Sequence, residues 1–282
     1  MLAKGRVLNP GRGGNVQVLV ASRNAKKLRE LQRVLDMRHV AGIELLSLKD
    51  VVEYPEAPET GRTFGDNALL KAREAAKHTN LVSIADDSGL AIDELNGMPG
   101  VLSARWSGKH GDDDANTNLV LGQMNDVPDE RRGAAFVSVC ALVIPESRMP
   151  RAKAAGLTVP SLQKFSEGVS LSAPAESGEF VVRGQWRGRI IREPRGTNGF
   201  GYDPIFVPEE EDTRAQIQHS PRDAGDEDGE GVNQSDHSGK NRRPRVAPRT
   251  SAELSAEEKD AQSHRGRALA QLVPILRSIG DM

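Results

Sequence analysis

Apolar positions in this chain fall into short runs and helical stripes separated by polar turns, and their order predicts alternating strands and helices. The run at 16–21 predicts a strand; S-R-N-A-K-K follows at once and leads into Leu28, Leu31 and Leu35 at helical spacing. Residues 60–79 predict the clearest helix, with Thr63 as cap, Asp66 three residues on, and a stripe of Phe64, Ala68, Ala72, Ala75 and Ala76. The run at 81–85 predicts the end of a buried strand that delivers Asp86, Asp87, Ser88 and Gly89 where strand becomes loop, with a second short strand at 90–93 and a tight turn at 96–101. Residues 112–124 predict a helix with an acidic first turn, and 134–144 is apolar on both faces, as expected of a central strand. Two β-rich runs in 179–192, broken at Gly184 to Gly188, predict a hairpin. Ser255 and Glu258 form a capping box, and Ala268, Leu269, Leu272 and Leu276 mark a last helix that Pro274 should kink or end.

The periodicity fails in three places. Residues 1–14 form a flexible N-terminus by this reading, and 145–178 fade into Pro, Ser, Ala and Gly as a loop insertion within a single domain over 15–282. Residues 209–249 hold ten acidic and seven basic residues against six apolar ones, too few to offset the entropy of ordering, so a disordered charged insertion is expected there.

Composition narrows the class. The net charge is −2, which argues for no nucleic-acid partner, and no apolar run approaches the roughly 18 residues of a membrane-spanning helix. The N-terminus has basic residues without the apolar core of a secretory signal. A single cysteine, Cys140, cannot form an internal disulfide and lies in an apolar run, so it is expected to pack as a small hydrophobe in a reducing, cytoplasmic setting. Neither a G-x-x-x-x-G-K-[S/T] loop nor a G-x-G-x-x-G fingerprint is present, and one Cys with six scattered His match no zinc site.

Four stretches carry chemistry, each with a plainer alternative. Asp86 and Asp87 form either a solvated turn or, since close carboxylates repel without a cation, a pair in which one is protonated or a place for Mg²⁺ and oxygen-rich substrates. Ser22 to Lys27 sit between strand and helix, where backbone N–H groups and two lysines either meet a phosphate or face solvent. Glu59 precedes a helix start and is either a capping charge or a further oxygen donor to the cation. Glycines around Phe200 and Tyr202 make either a ligand-contacting loop with stacking faces or an irregular turn whose rings belong to the core.

Six blocks in order extend a resemblance over most of the chain: S-R-N-A-K-K-L-R-E-L, E-T-G-x-T-F-x-x-N-A-x-x-K-A-R, I-A-D-D-S-G-L, G-x-P-G-V-x-S-A-R-W-S-G, G-T-N-G-F-G-Y-D-P-I-F and A-E-L-S-x-E-E-K-x-x-x-S-H-R-G-x-A. Jointly they resemble the pyrophosphatases of aberrant purine nucleoside triphosphates, the inosine triphosphatase or Ham1-like family. The resemblance implies an elongated α/β fold, with a long mixed sheet flanked by helices and a cleft between two lobes, in a homodimer. It also implies Mg²⁺-dependent hydrolysis of ITP, dITP and XTP to the monophosphate and pyrophosphate. By position, Asp87 matches the general base and metal ligand, with Asp86 beside it and Glu59 as the neighbouring acid. Ser22, Arg23, Asn24, Ala25, Lys26 and Lys27 match the first substrate-binding block, with Lys27 on the phosphates. Ser88, Phe200, Gly201, Tyr202, Asp203, Lys259, His264 and Arg265 match the remaining substrate contacts; His264 and Arg265 reach the base, and Phe200 and Tyr202 would sandwich it.

Two departures stand out. The stretches 145–178 and 209–249 have no counterpart in the family pattern, and Arg23 stands where the motif often has glycine. A Maf-like pyrophosphatase of different base preference is opposed by the E-E-K and S-H-R-G blocks, and a non-catalytic nucleotide binder by the acidic doublet.

Overall fold

The computed structural model describes residues 14–55, 58–157, 178–217 and 247–282. The expected flexible N-terminus, but for Gly14, and the greater parts of both predicted insertions, 158–177 and 218–246, lie outside them. In chain order the regular elements are β1 (Val16–Val20), α1 (Ala25–Met37), β2 (Ile43–Ser47), α2 (Phe64–Thr79), β3 (Val82–Ile92), α3 (Asp113–Gln123), β4 (Gly133–Val143), α4 (Met149–Ala154), β5 (Glu179–Ile190), β6 (Phe206–Pro208), α5 (Glu209–Ile217), α6 (Ala256–Gln262) and α7 (His264–Gly280). They build one mixed α/β sheet in the order β2-β1-β3-β4-β5-β6, parallel across β2, β1 and β3 and antiparallel beyond. Among the described residues no helix is long and apolar enough to cross a membrane.

Two predicted breaks are not breaks. The strand expected to end at Ala85 runs on through the acidic doublet to Ile92, paired with β4 from Ser83↔Val143 to Ile92↔Ala134. The hairpin expected in 179–192 is a single strand, β5, in continuous register with β4. In both, the glycines serve close approach rather than reversal. Gly89 leaves room for the 3₁₀ segment Gly100–Arg105, whose Ser103 hydroxyl accepts the Leu90 N–H at 2.9 Å. Gly184 lies under the first turn of α7, where a Cβ would overlap the His264 carbonyl oxygen and come within 2.5 Å of the Ala268 nitrogen. Gly184→Ala is therefore expected to overpack this junction at about 1–3 kcal/mol. The corresponding fall in thermal midpoint is on the order of 5 °C for a chain of this size. An unchanged midpoint in a thermal melt would contradict the tight seat.

Pro274 also fails to stop its helix. Val273, Ile275, Leu276 and Ile279 around it are buried in the core, and that packing outweighs one missing backbone donor. The disorder expected over 209–249 does not hold at its described ends: residues 209–217 form helix α5, and the described residues resume at 247, where Arg249 is held by ion pairs.

Side chains alternate along β3, and the alternation sets the plan. One face carries Val82 and Ile84, packed with Leu31 and Leu35 of α1 and Leu269, Leu272 and Leu276 of α7. Further along the same face, Leu90 and Ile92 join Phe136, Trp186 and Phe206 in a second cluster. Between the clusters lie Asp86 and Ser88, and the cross-strand row Ser88↔Ser138↔Gly184 continues that polar interval over three strands. The N-terminus of α7 lands on this interval at Gly184. The opposite face presents Ala85, Val137, Val139 and Ala141 to the alanine stripe of α2, where small side chains bring helix and sheet together. β1 pairs with β3 only as far as Val20↔Ile84, so Asp86, Asp87 and Ser88 emerge where the parallel part of the sheet ends.

Candidate active site

Adjacent in sequence, Asp86 and Asp87 point to opposite faces of β3 and do not form a pair. Asp87 faces α2. Its Oδ2 accepts from the Asn67 side-chain amide at 2.9 Å, its Oδ1 from the Ser88 N–H at 3.0 Å, and the Lys71 ammonium stands 4.0 Å from Oδ1. Asn67 and Lys71 are one helical turn apart and so share a face of α2. The start of that helix is fixed by the predicted Thr63 and Asp66 capping box. The Lys71 ammonium also donates to Glu59 at 2.9 Å, and Arg105 approaches the other Glu59 oxygen at 3.4 Å. Asn67 further accepts the Gly61 N–H at 2.7 Å, which ties the Glu59 loop to the same point.

Their proton affinities diverge. Burial raises the pKa of Asp87 above the ordinary carboxylate value; Lys71 and the Asn67 amide offset this only in part, and Glu59 adds to the rise. For Glu59 burial acts in the same direction, but Lys71 and Arg105 outweigh it and the pKa is lowered. Of two neighbouring acids, then, one stays charged and the other holds a proton more readily, the division expected where one of them acts as a base.

On the other face Asp86, 8% exposed, binds Lys27 of α1 at 2.8 Å and the Nε of Arg265 at 3.3 Å. Burial would raise its pKa, but Lys27 and Arg265 together hold it well below the ordinary range. Arg265 also donates to Glu30 at 2.9 Å and to the Ser88 hydroxyl at 3.1 Å. It is placed by the α7 cap, in which the Ser263 hydroxyl accepts the Gly266 N–H. Lys27 is placed by α1, where Asn24 caps through the Lys26 N–H and the Ser22 hydroxyl accepts the Asn24 N–H. Cys140, the cross-strand partner of Asp86, is fully buried; burial first and Asp86 second push its thiol up to about 12, so it is no nucleophile.

A cavity of about 510 Å³ opens on this second face, over the polar interval between the two clusters. Lys26, Ser88, Phe200, Lys259, His264 and Arg265 line it, whereas Asp87, Glu59, Lys71 and Lys27 do not. His264 stacks on Phe136 at 5.2 Å, and burial, reinforced by Arg265 and Lys259, keeps it neutral with a pKa well below the usual value. Its buried Nδ1 has no hydrogen-bond partner among the described residues. Phe200 is half exposed, with the Lys26 and Lys259 ammonium groups each 5.6 Å from its ring centre. Asp203 accepts the Phe200 N–H and pairs with Lys259, while Asp113 accepts the Gly201 N–H at 2.8 Å. Gly199 at φ +85° and Gly201 at φ +61° permit the loop. Tyr202 differs from the expected stacking partner. It is buried in the second cluster with its hydroxyl on the Ser103 carbonyl, so it forms cavity wall and Phe200 alone of the two offers an open ring face.

Ser22, Arg23 and Asn24 form the turn from β1 into α1 and Ala25 opens that helix, all four outside the cavity lining. Asn67, Lys71, Arg105 and Glu30 lie inside the quoted blocks but carry no assigned role in the sequence reading, and Asp113 lies outside them. Asn67 and Lys71 do carry a signal, their one-turn spacing on the α2 stripe adjoining the acidic strand. Among the described residues no group of three or more His, Cys, Asp or Glu side chains could hold a metal. Glu59 and Asp87 instead flank one ammonium, that of Lys71.

The Ham1 family profile matches residues 18–230. A dITP/XTP pyrophosphatase of Mycobacteroides abscessus is 51% identical over 267 residues, covering 95% of this chain and 98% of its own. One of Corynebacterium efficiens is 48% identical over 264 residues, covering 94% and 99%. Among solved structures, the nucleoside-triphosphatase / dITP/XTP pyrophosphatase of Mycobacterium abscessus matches with a TM-score of 0.60 at 51% identity, over 93% of this chain and all of that one. A HAM1 protein from Coxiella burnetii matches with a TM-score of 0.64 at 34% identity, over 93% and 98%. Profile, relatives and fold agree over most of the chain's length, and the chain belongs to the Ham1 family.

Proposed function

We propose that this protein hydrolyses ITP, dITP and XTP to the nucleoside monophosphate and pyrophosphate, removing them before they enter DNA or RNA. The observation that carries the proposal is the division of labour across β3. Asp87, with its raised proton affinity, stands among Glu59, Lys71 and Asn67 on one face, and a cavity of nucleoside size with an open aromatic face lies on the other.

Asp87 accepts a proton from a water whose oxygen bonds to the α-phosphorus, while the bond from that phosphorus to the bridging oxygen breaks and pyrophosphate leaves. Lys71, Lys27 and the positive end of the α1 dipole offset the phosphate charge. Asp87 and Glu59 fit Mg²⁺: both donors are hard oxygens, and the ammonium between them marks a spot whose negative charge calls for a cation. Bound there, Mg²⁺ would supply Lewis-acid neutralisation of the phosphates. Phe200 stacks on the purine and Lys259 borders it. Arg265 uses three of its five N–H groups on Asp86, Glu30 and Ser88, which leaves two for a 6-oxo group beside neutral His264. A 6-amino group there leaves a donor unpaired at roughly 1–3 kcal/mol. A homodimer and a cytoplasmic setting belong to the same reading, supported by the family resemblance and by a lone buried cysteine.

The test is pyrophosphate release from ITP, dITP, XTP, GTP, ATP and dTTP, with Mg²⁺ and with chelator. The first three are expected to exceed ATP by roughly 5- to 150-fold in kcat/KM, the ratio equivalent to that unpaired donor. Release should stop with chelator. A preference for dTTP would favour a Maf-like activity, and no release from any nucleotide would overturn the proposal.

A further inference from the structure

The short helix that presents Lys259 to the cavity has little of its own to hold it. α6 spans seven residues, too few to be stable alone, and none of its described side chains is fully buried. Its orientation is held instead from its first turn. Arg249 donates from Nε and Nη2 to the two oxygens of Glu211 at 3.0 and 2.9 Å, and from Nη1 and Nη2 to the two oxygens of Glu258 at 3.2 and 2.9 Å. Glu211 belongs to α5 and is only 5% exposed. Glu258 belongs to α6, closes its capping box through the Ser255 N–H at 2.9 Å, and immediately precedes Lys259. A guanidinium gripped by two carboxylates fixes direction as well as distance, because its donors lie in a rigid plane.

We infer that Arg249 is a positioning residue for the nucleotide cavity: it bolts the first turn of α6 to α5 and thereby sets Lys259 against Phe200 and Asp203. The inference rests on the proposed role of Lys259 beside the bound nucleotide. Arg249 does not line the cavity and acts only through Glu258 and the helix that follows. Its loss does not leave Glu211 without a cation, since Arg214 lies 3.6 Å away. Nor does it free the segment around it, since Arg195 donates to the Pro248 carbonyl at 2.6 Å and the Thr250 hydroxyl donates to the Arg195 carbonyl at 2.8 Å.

The experiment is steady-state hydrolysis of ITP by the full chain with Arg249→Ala, Glu258→Gln, Lys259→Ala and the Arg249→Ala/Lys259→Ala double variant, with thermal midpoints alongside. Glu258→Gln keeps the capping box and removes only the charged link, which covers the case of an Arg249 variant that folds poorly. Arg249→Ala and Glu258→Gln are each expected to raise KM roughly three- to tenfold with kcat within about twofold, since Lys259 is assigned to the base beside Phe200 and not to the phosphates. In the Lys259→Ala background, Arg249→Ala should add nothing to KM, which a merely structural defect would not reproduce. A raised KM in Lys259→Ala with an unchanged one in both Arg249→Ala and Glu258→Gln would overturn the inference, as would effects that multiply in the double variant. An unchanged KM in Lys259→Ala alone would instead remove Lys259 from the nucleotide site, and the inference with it.

Discussion

Asp87→Asn is expected to lower kcat for ITP by roughly 10²- to 10⁴-fold, the usual contribution of a positioned general base, while leaving the thermal midpoint unchanged or raised. Two facts set this combination apart from ordinary core damage. The asparagine is the same size and its one side-chain oxygen can still accept from Asn67, at the expense of the Ser88 N–H contact, so packing against α2 survives. The charge it removes is one the fold resists: burial raises the Asp87 pKa more than Lys71 and Asn67 lower it. A carboxyl whose folded pKa lies above its unfolded value favours the folded state fully below the unfolded value, and that advantage is lost as pH rises through the folded one. At neutral pH ionised Asp87 is therefore a liability to stability. Turnover by the wild-type protein should fall on the acid side as Asp87 takes up its proton. Near wild-type turnover in Asp87→Asn would sink the assignment of the base.

How much of this was legible in the sequence depends on whether the cause was local. The β1-turn-α1 unit, the Thr63 cap, the apolar run of β4 and the Ser255 box all lie within a few residues of their own signals, and each formed where expected. The continuation of β3 through D-D-S-G was not legible, because what holds Asp86 and Asp87 extended is a ladder to β4, a strand some fifty residues away in the chain. The same holds for Gly184, which resembles a turn until α7 is seen to rest on it, and for Pro274, whose helix is kept by the core around it. At the site, the acidic doublet and the aromatic loop drew attention by composition. Their division between two faces follows from strand alternation, which becomes visible only once the strand is known to be unbroken. Lys71 lay inside a recognised block, yet its place between Glu59 and Asp87 depends on α2 packing against β3 and β4.

Asp86→Asn makes the same chemical change one residue earlier, and the expected result is the reverse. Asp86 is the anion to which Lys27 and Arg265 both point, at 2.8 and 3.3 Å, and all three side chains are largely out of water. Removing its charge leaves two buried cations facing one another. Glu30 still serves Arg265, but among the described residues Lys27 pairs with no other carboxylate. Breaking a buried pair from one side costs on the order of 3–5 kcal/mol. For a chain of this size that corresponds to a fall of roughly 10 °C in thermal midpoint. Activity should suffer too, through a raised KM, because the two residues that Asp86 orients are those proposed to meet the phosphates and the base. The pH dependence gives an independent check. Despite its burial, Asp86 has a folded pKa well below its unfolded one, owing to Lys27 and Arg265. Its contribution is therefore complete above the unfolded value, about pH 4, and is lost as the pH falls from there toward the folded value. The difference in midpoint between wild type and Asp86→Asn should be widest at neutral pH and shrink in melts below about pH 4. A difference that stayed constant across that range would mean that shape, not charge, makes Asp86 necessary, and the opposed roles of the two acids would then have no electrostatic basis.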